Sequence, residues 1–447
     1  MSRTANLSHG PVLSVLLKFT FPILLSFLLQ ITYGTVDLFI VGQFASIGDL
    51  SGVTVGSQVM HAVTVFYLGL SMGTTILVGQ YIGAQESDKA AKVIGSSIAF
   101  FTLLAFFIAA ILILLCEQIA SFMQTPVESL EKASSYLFIA GFGAFFIVFY
   151  NLIGSIFRGL GDAKTPLITV AIACVINIIL DLFFIAVLNM GASGAALATV
   201  IAQASSVFFS LLLIRKKQLP FTFSTKDISF HTQRILAVVK LGFPLALQAV
   251  LVSISFLFVT SIINGFGVAA SAAVGIVEKI TGLIMIVPIS FGQSLSAFTA
   301  QNFGAKQYDR AKKGLGYAIS LSWLFGAVTT YLAIWHGTIF TQIFTSDPVT
   351  TEAALLYLKS YAVDVMLVGI MFSMNGYFNG CGKTTFVMFH SILSAFAIRI
   401  PLAYFFSGLE NTSLFIIGLA TPMSTALQIV LCILYFIRMQ RYIKTIS

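Results

Sequence analysis

The chain has 447 residues, of which 58% are hydrophobic and 9% charged. Soluble globular proteins carry roughly a quarter charged residues, so that class is excluded. The net charge of +8 does not indicate nucleic acid either, because the basic residues flank apolar segments instead of forming one face. The four cysteines, Cys116, Cys174, Cys381 and Cys432, are scattered without CxxC spacing, which gives neither a disulfide framework nor a zinc site.

The opening stretch, MSRTANLSHGPVLS, is polar and has no cleavable signal pattern, so the first apolar segment is expected to persist in the mature protein. Residues 18–44 are long enough to cross a bilayer, for which about 20 apolar residues suffice. Pro22 lies in the first turns, where it removes a backbone hydrogen bond and bends the helix. Asp37 lies near the far end among apolar residues, where a carboxylate costs roughly 2.5–3.5 kcal/mol to insert and must face a cavity or a partner.

Twelve apolar segments follow in order, at 14–40, 50–79, 91–116, 133–157, 166–188, 192–214, 238–264, 268–300, 313–336, 351–378, 385–406 and 414–437. An even number of crossings puts both termini on one side. With the N-terminus in the cytoplasm, that side collects all of the 24 basic residues except Lys132, Lys279, Lys359 and Arg399. It includes Arg3, Arg158 and Lys444. The opposite loops hold Lys132 beside acids such as Glu117, Glu128, Asp347 and Glu410. This positive-inside pattern implies a multi-pass protein of the cytoplasmic membrane with both termini inside.

The polar, basic stretch 215–237, with Pro220, reads as a cytoplasmic linker between six-helix lobes at 1–214 and 238–447. The lobes are repeats. LLKFTFP at 16–22 matches AVVKLGFP at 237–244, GQYIGAQESDKAAK at 79–92 matches AQNFGAKQYDRAKK at 300–313, and IFRGLGDAKTP at 156–166 matches YFNGCGKTT at 377–385. Three polar matches in order at one offset describe a parallel repeat about an axis along the membrane normal, a plan used by secondary transporters.

Few ionisable residues fall inside the segments. In NIILD, Asn177 and Asp181 are four apart and share a helix face. At 1.5 Å per residue, Asp181 stands about 22 Å above Pro166 and Asp37 about 28 Å above Lys18, with Thr199 at comparable depth. Two carboxylates, an amide and a hydroxyl at one level suit a proton or Na⁺. The alternative is a hydrogen-bond network that fixes helix packing. In the second half Glu278, Asp364 and Arg399 fall at one depth, which suggests a buried ion pair or triad, or else a second cation or substrate site. GCGKTT at 380–385 resembles the end of a P-loop, but Tyr377 stands where glycine is required and no strand precedes it, so no nucleotide is expected. No catalytic set is present, and an enzyme is not expected.

Taken together, K-x-x-x-P opening each half, VGQYIGA and AQNFGA, RGLGDAKTP and NIILD make the chain resemble the multidrug and toxic compound extrusion (MATE) family, over nearly its whole length. The resemblance implies an all-α fold with two pseudo-symmetric six-helix lobes in a V. It also implies efflux of cationic or amphipathic organic compounds in exchange for H⁺ or Na⁺, by a monomer without further cofactor. In the DinF-like branch the coupling site lies in the N-terminal lobe. By spacing it would comprise Asp37, Asn177, Asp181 and Thr199, with Gln30, Tyr33, Tyr136 and Asn151 lining the cavity and Pro22 bending the first helix. The C-lobe site of the NorM-like branch is not expected, because segment seven lacks an acid. The alternative on the same scaffold is a flippase for a lipid-linked saccharide precursor.

Overall fold

A computed structural model describes residues 6–217 and 219–446. Arg3 of the charge pattern lies outside the described residues, as does the side chain of Lys444. The described chain is helical with short connections. We label the spans α1 (Val12–Phe44), α2 (Ile47–Gly83), α3 (Ser87–Leu114), α4 (Val127–Gly159), α5 (Lys164–Val187), α6 (Gly191–Lys216) and α7 (Thr232–Asn264). Next come α8 (Val268–Ile284 and Ile286–Gly304), α9 (Tyr308–Gln342), α10 (Pro348–Gly380), α11 (Thr384–Ser407) and α12 (Leu414–Arg441). The two arms of α8 meet at 41°. Counted as one broken span, they bring the described residues to twelve apolar spans, matching the twelve apolar segments of the sequence.

Helix ends follow local chemistry. Ser46 and Asp49 form a reciprocal capping box at the start of α2. The Asp162 carboxylate accepts the N–H groups of Lys164 and Thr165 at 3.0 and 3.1 Å, which caps α5, and it also takes Lys217 Nζ. Asp347 caps α10 by accepting the Thr350 N–H at 2.8 Å. α1 runs unbroken through Pro22, and the Ser26 hydroxyl donates to the Pro22 carbonyl at 2.8 Å.

The repeat is written in the backbone as well. Gln85 and Lys306, 221 residues apart, both take positive φ, at 62° and 56°, and so do Gly161 and Gly382, at 80° and 75°. These are the turns of the matched motifs. Phe39, Phe106, Phe142, Trp335, Phe389 and Tyr404 are exposed, as expected of lipid-facing helix surfaces.

By contacts the chain forms two compact units: Met1–Gly10, Leu17–Ala246 and Ala300–Lys306 in the first, and Pro11–Leu16, Leu247–Thr299 and Gln307–Ser447 in the second. These do not follow the repeat boundaries at 214 and 238. The first turns of α7 and the end of α8 pack into the first unit through glycine contacts. A Cβ added to Gly242 would lie 2.0 Å from the Leu70 carbonyl oxygen. One on Gly83 would lie 1.9 Å from that of Gln301, and one on Gly304 2.0 Å from that of Gln80. The glycines of VGQYIGA and AQNFGA therefore allow a reciprocal backbone approach. Beside them Gln301 clasps the buried N-terminal segment, with its Oε1 accepting Leu7 N–H at 2.9 Å and its Nε2 donating to the Gly159 carbonyl at 2.8 Å.

Candidate functional site

On α1, Ser26, Gln30, Tyr33 and Asp37 recur at intervals of three and four residues, so they share one face. Asn177 and Asp181 share a face of α5, and Thr199, Gln203 and Ser206 share one of α6. The first unit brings these faces together. Asp181 lies within electrostatic reach of Asp37, and Tyr136 of α4 lies within reach of both carboxylates and of Tyr33, beside Thr199. Gln203 stands next to the Tyr33 hydroxyl.

These side chains are buried and badly satisfied. Asp37, Asn177 and Asp181 are 7%, 1% and 0% exposed. Asp37 Oδ1, both carboxylate oxygens of Asp181 and both amide atoms of Asn177 have no hydrogen-bond partner. Among the described residues neither aspartate joins an ion pair. Each such orphan costs roughly 1–3 kcal/mol, so a packing network would not be built this way. A cavity of about 20 Å³ adjoins Asn177, Thr199, Tyr33 and Gln203, room for about one water or a small ion. Oxygen ligands of this kind fit Na⁺, and the carboxylates equally fit protons. Among the described residues no three His, Cys, Asp or Glu side chains gather to hold a metal ion; the donor set here mixes carboxylates with an amide and hydroxyls.

A larger cavity, about 60 Å³, lies in the same unit between α1, α4 and α5. Gln30 and Asn151, which the resemblance assigns to one cavity with Tyr33 and Tyr136, line this one, whereas Tyr33 lines the smaller cavity. Tyr150 borders both and accepts from Gln30 Nε2 at 2.9 Å. Two features escape sequence reasoning. α5 widens into a π-helical turn at Leu182–Val187, immediately after Asp181, a distortion frequent at functional positions. Arg158, assigned by charge pattern to the cytoplasmic surface, lines the larger cavity.

In the second unit the triad does not form. Glu278 is exposed and accepts the Thr260 hydroxyl at 3.3 Å, with no ion pair to Arg399. Depth along a helix fixes height but not facing: that arm of α8 buries Ala273, Val274, Val277 and Ile280, and Glu278 stands at the edge of that face, exposed yet within electrostatic reach of Tyr357. Asp364 and Arg399 are 2% and 4% exposed and act on each other through space without forming a salt bridge. Arg399 Nη1 instead donates to Ser255 Oγ at 2.9 Å, and the guanidinium lies 4.1 Å from the Phe256 ring centre.

Fold and site together define a polytopic membrane protein of two repeated six-helix halves, with a closed polar site inside the first. The sequence model of the MatE family matches twice, over residues 22–183 and 244–405, beginning at Pro22 and at Pro244. The chain belongs to this family, the MATE family that its motifs resemble. It is 27% identical over 403 residues to the probable multidrug resistance protein YpnP of Bacillus subtilis, covering 90% of each chain. It is 22% identical to the multidrug export protein MepA of Staphylococcus aureus, over 96% of this chain and 95% of that one. A crystal structure of MATE in complex with MaD3S superposes with a TM-score of 0.92 at 21% identity, over 99% of this chain and all of the other. A MOP superfamily transporter from Pyrococcus furiosus gives 0.91 at 21% identity, over 99% and 98% of the two chains.

Proposed function

We propose that the protein is a multidrug exporter of the cell membrane, a transporter and not an enzyme. It exchanges amphipathic organic cations for H⁺ or Na⁺ through the first half of the chain. The observation that carries this is the convergence of Asp37, Asn177 and Asp181, buried with orphaned polar atoms and no basic partner. Such a set holds free energy in reserve for a cation that arrives and leaves. Thr199 and Tyr136 complete its walls. The names of the relatives support drugs as the cargo.

In this mechanism a cation that neutralises the carboxylates favours one conformation, and cargo favours the other; each ligand shifts the balance by its differential affinity. Pro22, which withholds a backbone hydrogen bond from α1, is where that helix yields. One charge moving through 100 mV releases about 2.3 kcal/mol, enough to bias such a balance. The protein works as a monomer and needs no cofactor besides the coupling ion.

The test uses proteoliposomes loaded with a fluorescent cationic dye, under a pH gradient alone and then a Na⁺ gradient alone, for wild type and Asp37→Asn. Dye movement under one gradient, lost in the variant, identifies the ion and supports coupling in the first half. Movement that survives in the Asp37→Asn, Asp181→Asn double variant at the wild-type rate would sink the assignment.

A further inference from the structure

Arg158 ends α4, where an arginine is free to extend its charge toward water. Its side chain does the opposite. Nη1 lies 3.3 Å from where a Cβ on Gly154 would sit, one turn back along the same helix, and Nη2 donates to Ser155 Oγ at 2.8 Å. Nε is buried and without a partner. Among the described residues Arg158 joins no ion pair, and the titratable group acting on it is the phenol of Tyr150, not a carboxylate.

A guanidinium cannot escape burial by losing its proton. The residue is half-buried, and a guanidinium partly withdrawn from water without a counter-ion bears a cost that falls when an anion arrives. The cavity it fronts offers further donors and no acid. Tyr150 accepts from Gln30, which leaves its own O–H to donate. The remaining lining includes Ile23, Phe27, Leu68 and Val170, an apolar wall for an apolar body. Its volume of about 60 Å³ is the size of one small polar group, not of a whole drug. Tyr150 and Val170 also border the cavity beside Asn177 and Thr199, so the two sites adjoin.

The geometry points to Arg158, with Tyr150, as a receptor for the anionic group, carboxylate or phosphate, of an amphipathic molecule. Resting on the export reading above, this gives the anionic group of a zwitterionic or acidic amphiphile a defined place in the first half of the chain. The cationic part of a zwitterion then lies on the side of Asp37 and Asp181, and its anionic part on Arg158. An anionic phospholipid headgroup carries the same chemistry and is the second source of the ligand.

The experiment measures equilibrium binding of rhodamine B, which has a free carboxylate, and of its ethyl ester, which does not, by fluorescence anisotropy. The protein is held in phosphatidylcholine nanodiscs. Wild type should prefer the acid by about tenfold, the worth of one charge-assisted contact. Arg158→Gln should bring that preference below about threefold, and Arg158→Lys should keep part of it because the charge remains. Loss of the wild-type preference on adding phosphatidylglycerol makes the lipid headgroup the competing occupant; its persistence makes the dye carboxylate the preferred one. If Arg158→Gln keeps the full preference, the anion site is wrong while the export reading stands, since both dyes still bind. If wild type binds neither dye, both readings fall.

Discussion

Removing the polar groups of Asn177 and Asp181 should make the protein more stable while abolishing its transport. Asn177→Leu and Asp181→Leu put an apolar side chain of similar branching where the amide and the carboxylate have no partner. With each side chain at most 1% exposed, the substitution deletes a desolvation penalty of about 1–3 kcal/mol and loses no hydrogen bond. A cooperative unit of about 250 residues, the size of the first unit, unfolds with an entropy of about 0.5 kcal/mol/K, so 1–3 kcal/mol raises the midpoint by about 2–6 °C. The assay is thermal unfolding in one detergent, without coupling ions, followed by dye transport in proteoliposomes. Such a trade of stability for function is common at active sites. A lower midpoint in both variants would refute the reasoning, because it would make the cluster a packing network whose partners are satisfied.

Gly56→Ala should impair transport without altering a charged residue: its Cβ would stand 2.3 Å from the Tyr136 ring, displacing a ring that lies within reach of both carboxylates at a cost of about 1–3 kcal/mol, and transport rate with thermal midpoint checks this. Gln301→Ala strips the partners from the Leu7 N–H and the Gly159 carbonyl; about 2 kcal/mol or more should be lost, and limited proteolysis should cut near residue 7 sooner than in wild type. The Thr350 hydroxyl and N–H hold the Asp347 carboxyl below the usual carboxylate range. A depressed folded pKa gives stability that is present above the unfolded value and lost as pH falls through the folded one, so Asp347→Ala should lower the midpoint at pH 7 and lose this effect below about pH 4; an unchanged penalty at low pH would refute the ionic cap. For Arg399 and Asp364, a double-mutant cycle with Arg399→Gln and Asp364→Asn should give a favourable coupling of at most about 4 kcal/mol, the attraction of close charges at an effective dielectric of 20; zero coupling would mean that the two act independently.

Much of the fold is legible because a bilayer leaves a chain few options. Every backbone polar group must be satisfied within a segment, so each apolar run becomes a helix. Where prediction falls short, the ends are polar: α9 begins at Tyr308, ahead of 313, because helical hydrogen bonding extends into the polar lead-in, whereas at the other end the helix kinks at His336, where the apolar run stops, before going on to Gln342. The π-helical turns before Leu188 and at Ala395–Arg399 are products of packing and leave no mark in composition. Spacing alone fixes a shared face for Asn177 and Asp181, and the structure keeps both on one buried face of α5. The site is illegible where side-chain direction decides. Arg158 and Glu278 show this: a basic residue near a helix end folds back along its helix and is half-buried, and an acid at the right depth stays exposed at the edge of the cluster without pairing.

The second half of the chain shows what this fold does where the acids are absent. The two family matches begin 222 residues apart, and that displacement sets Asp37 opposite Val259 and Asp181 opposite Ala403. Both counterparts are 1% exposed or less, and both belong to one apolar core with Tyr357, Leu358 and Ile417. The architecture therefore closes at these positions with methyl groups, gaining apolar burial worth about 25 cal/mol per Å². The first half forgoes that gain at both places and accepts orphaned carboxylate oxygens instead. Helix packing cannot be the reason, since the repeat packs without them. A ligand for which the second half has no carboxylates in the same place would account for the difference, and this asymmetry between duplicated halves supports the coupling proposed for the first.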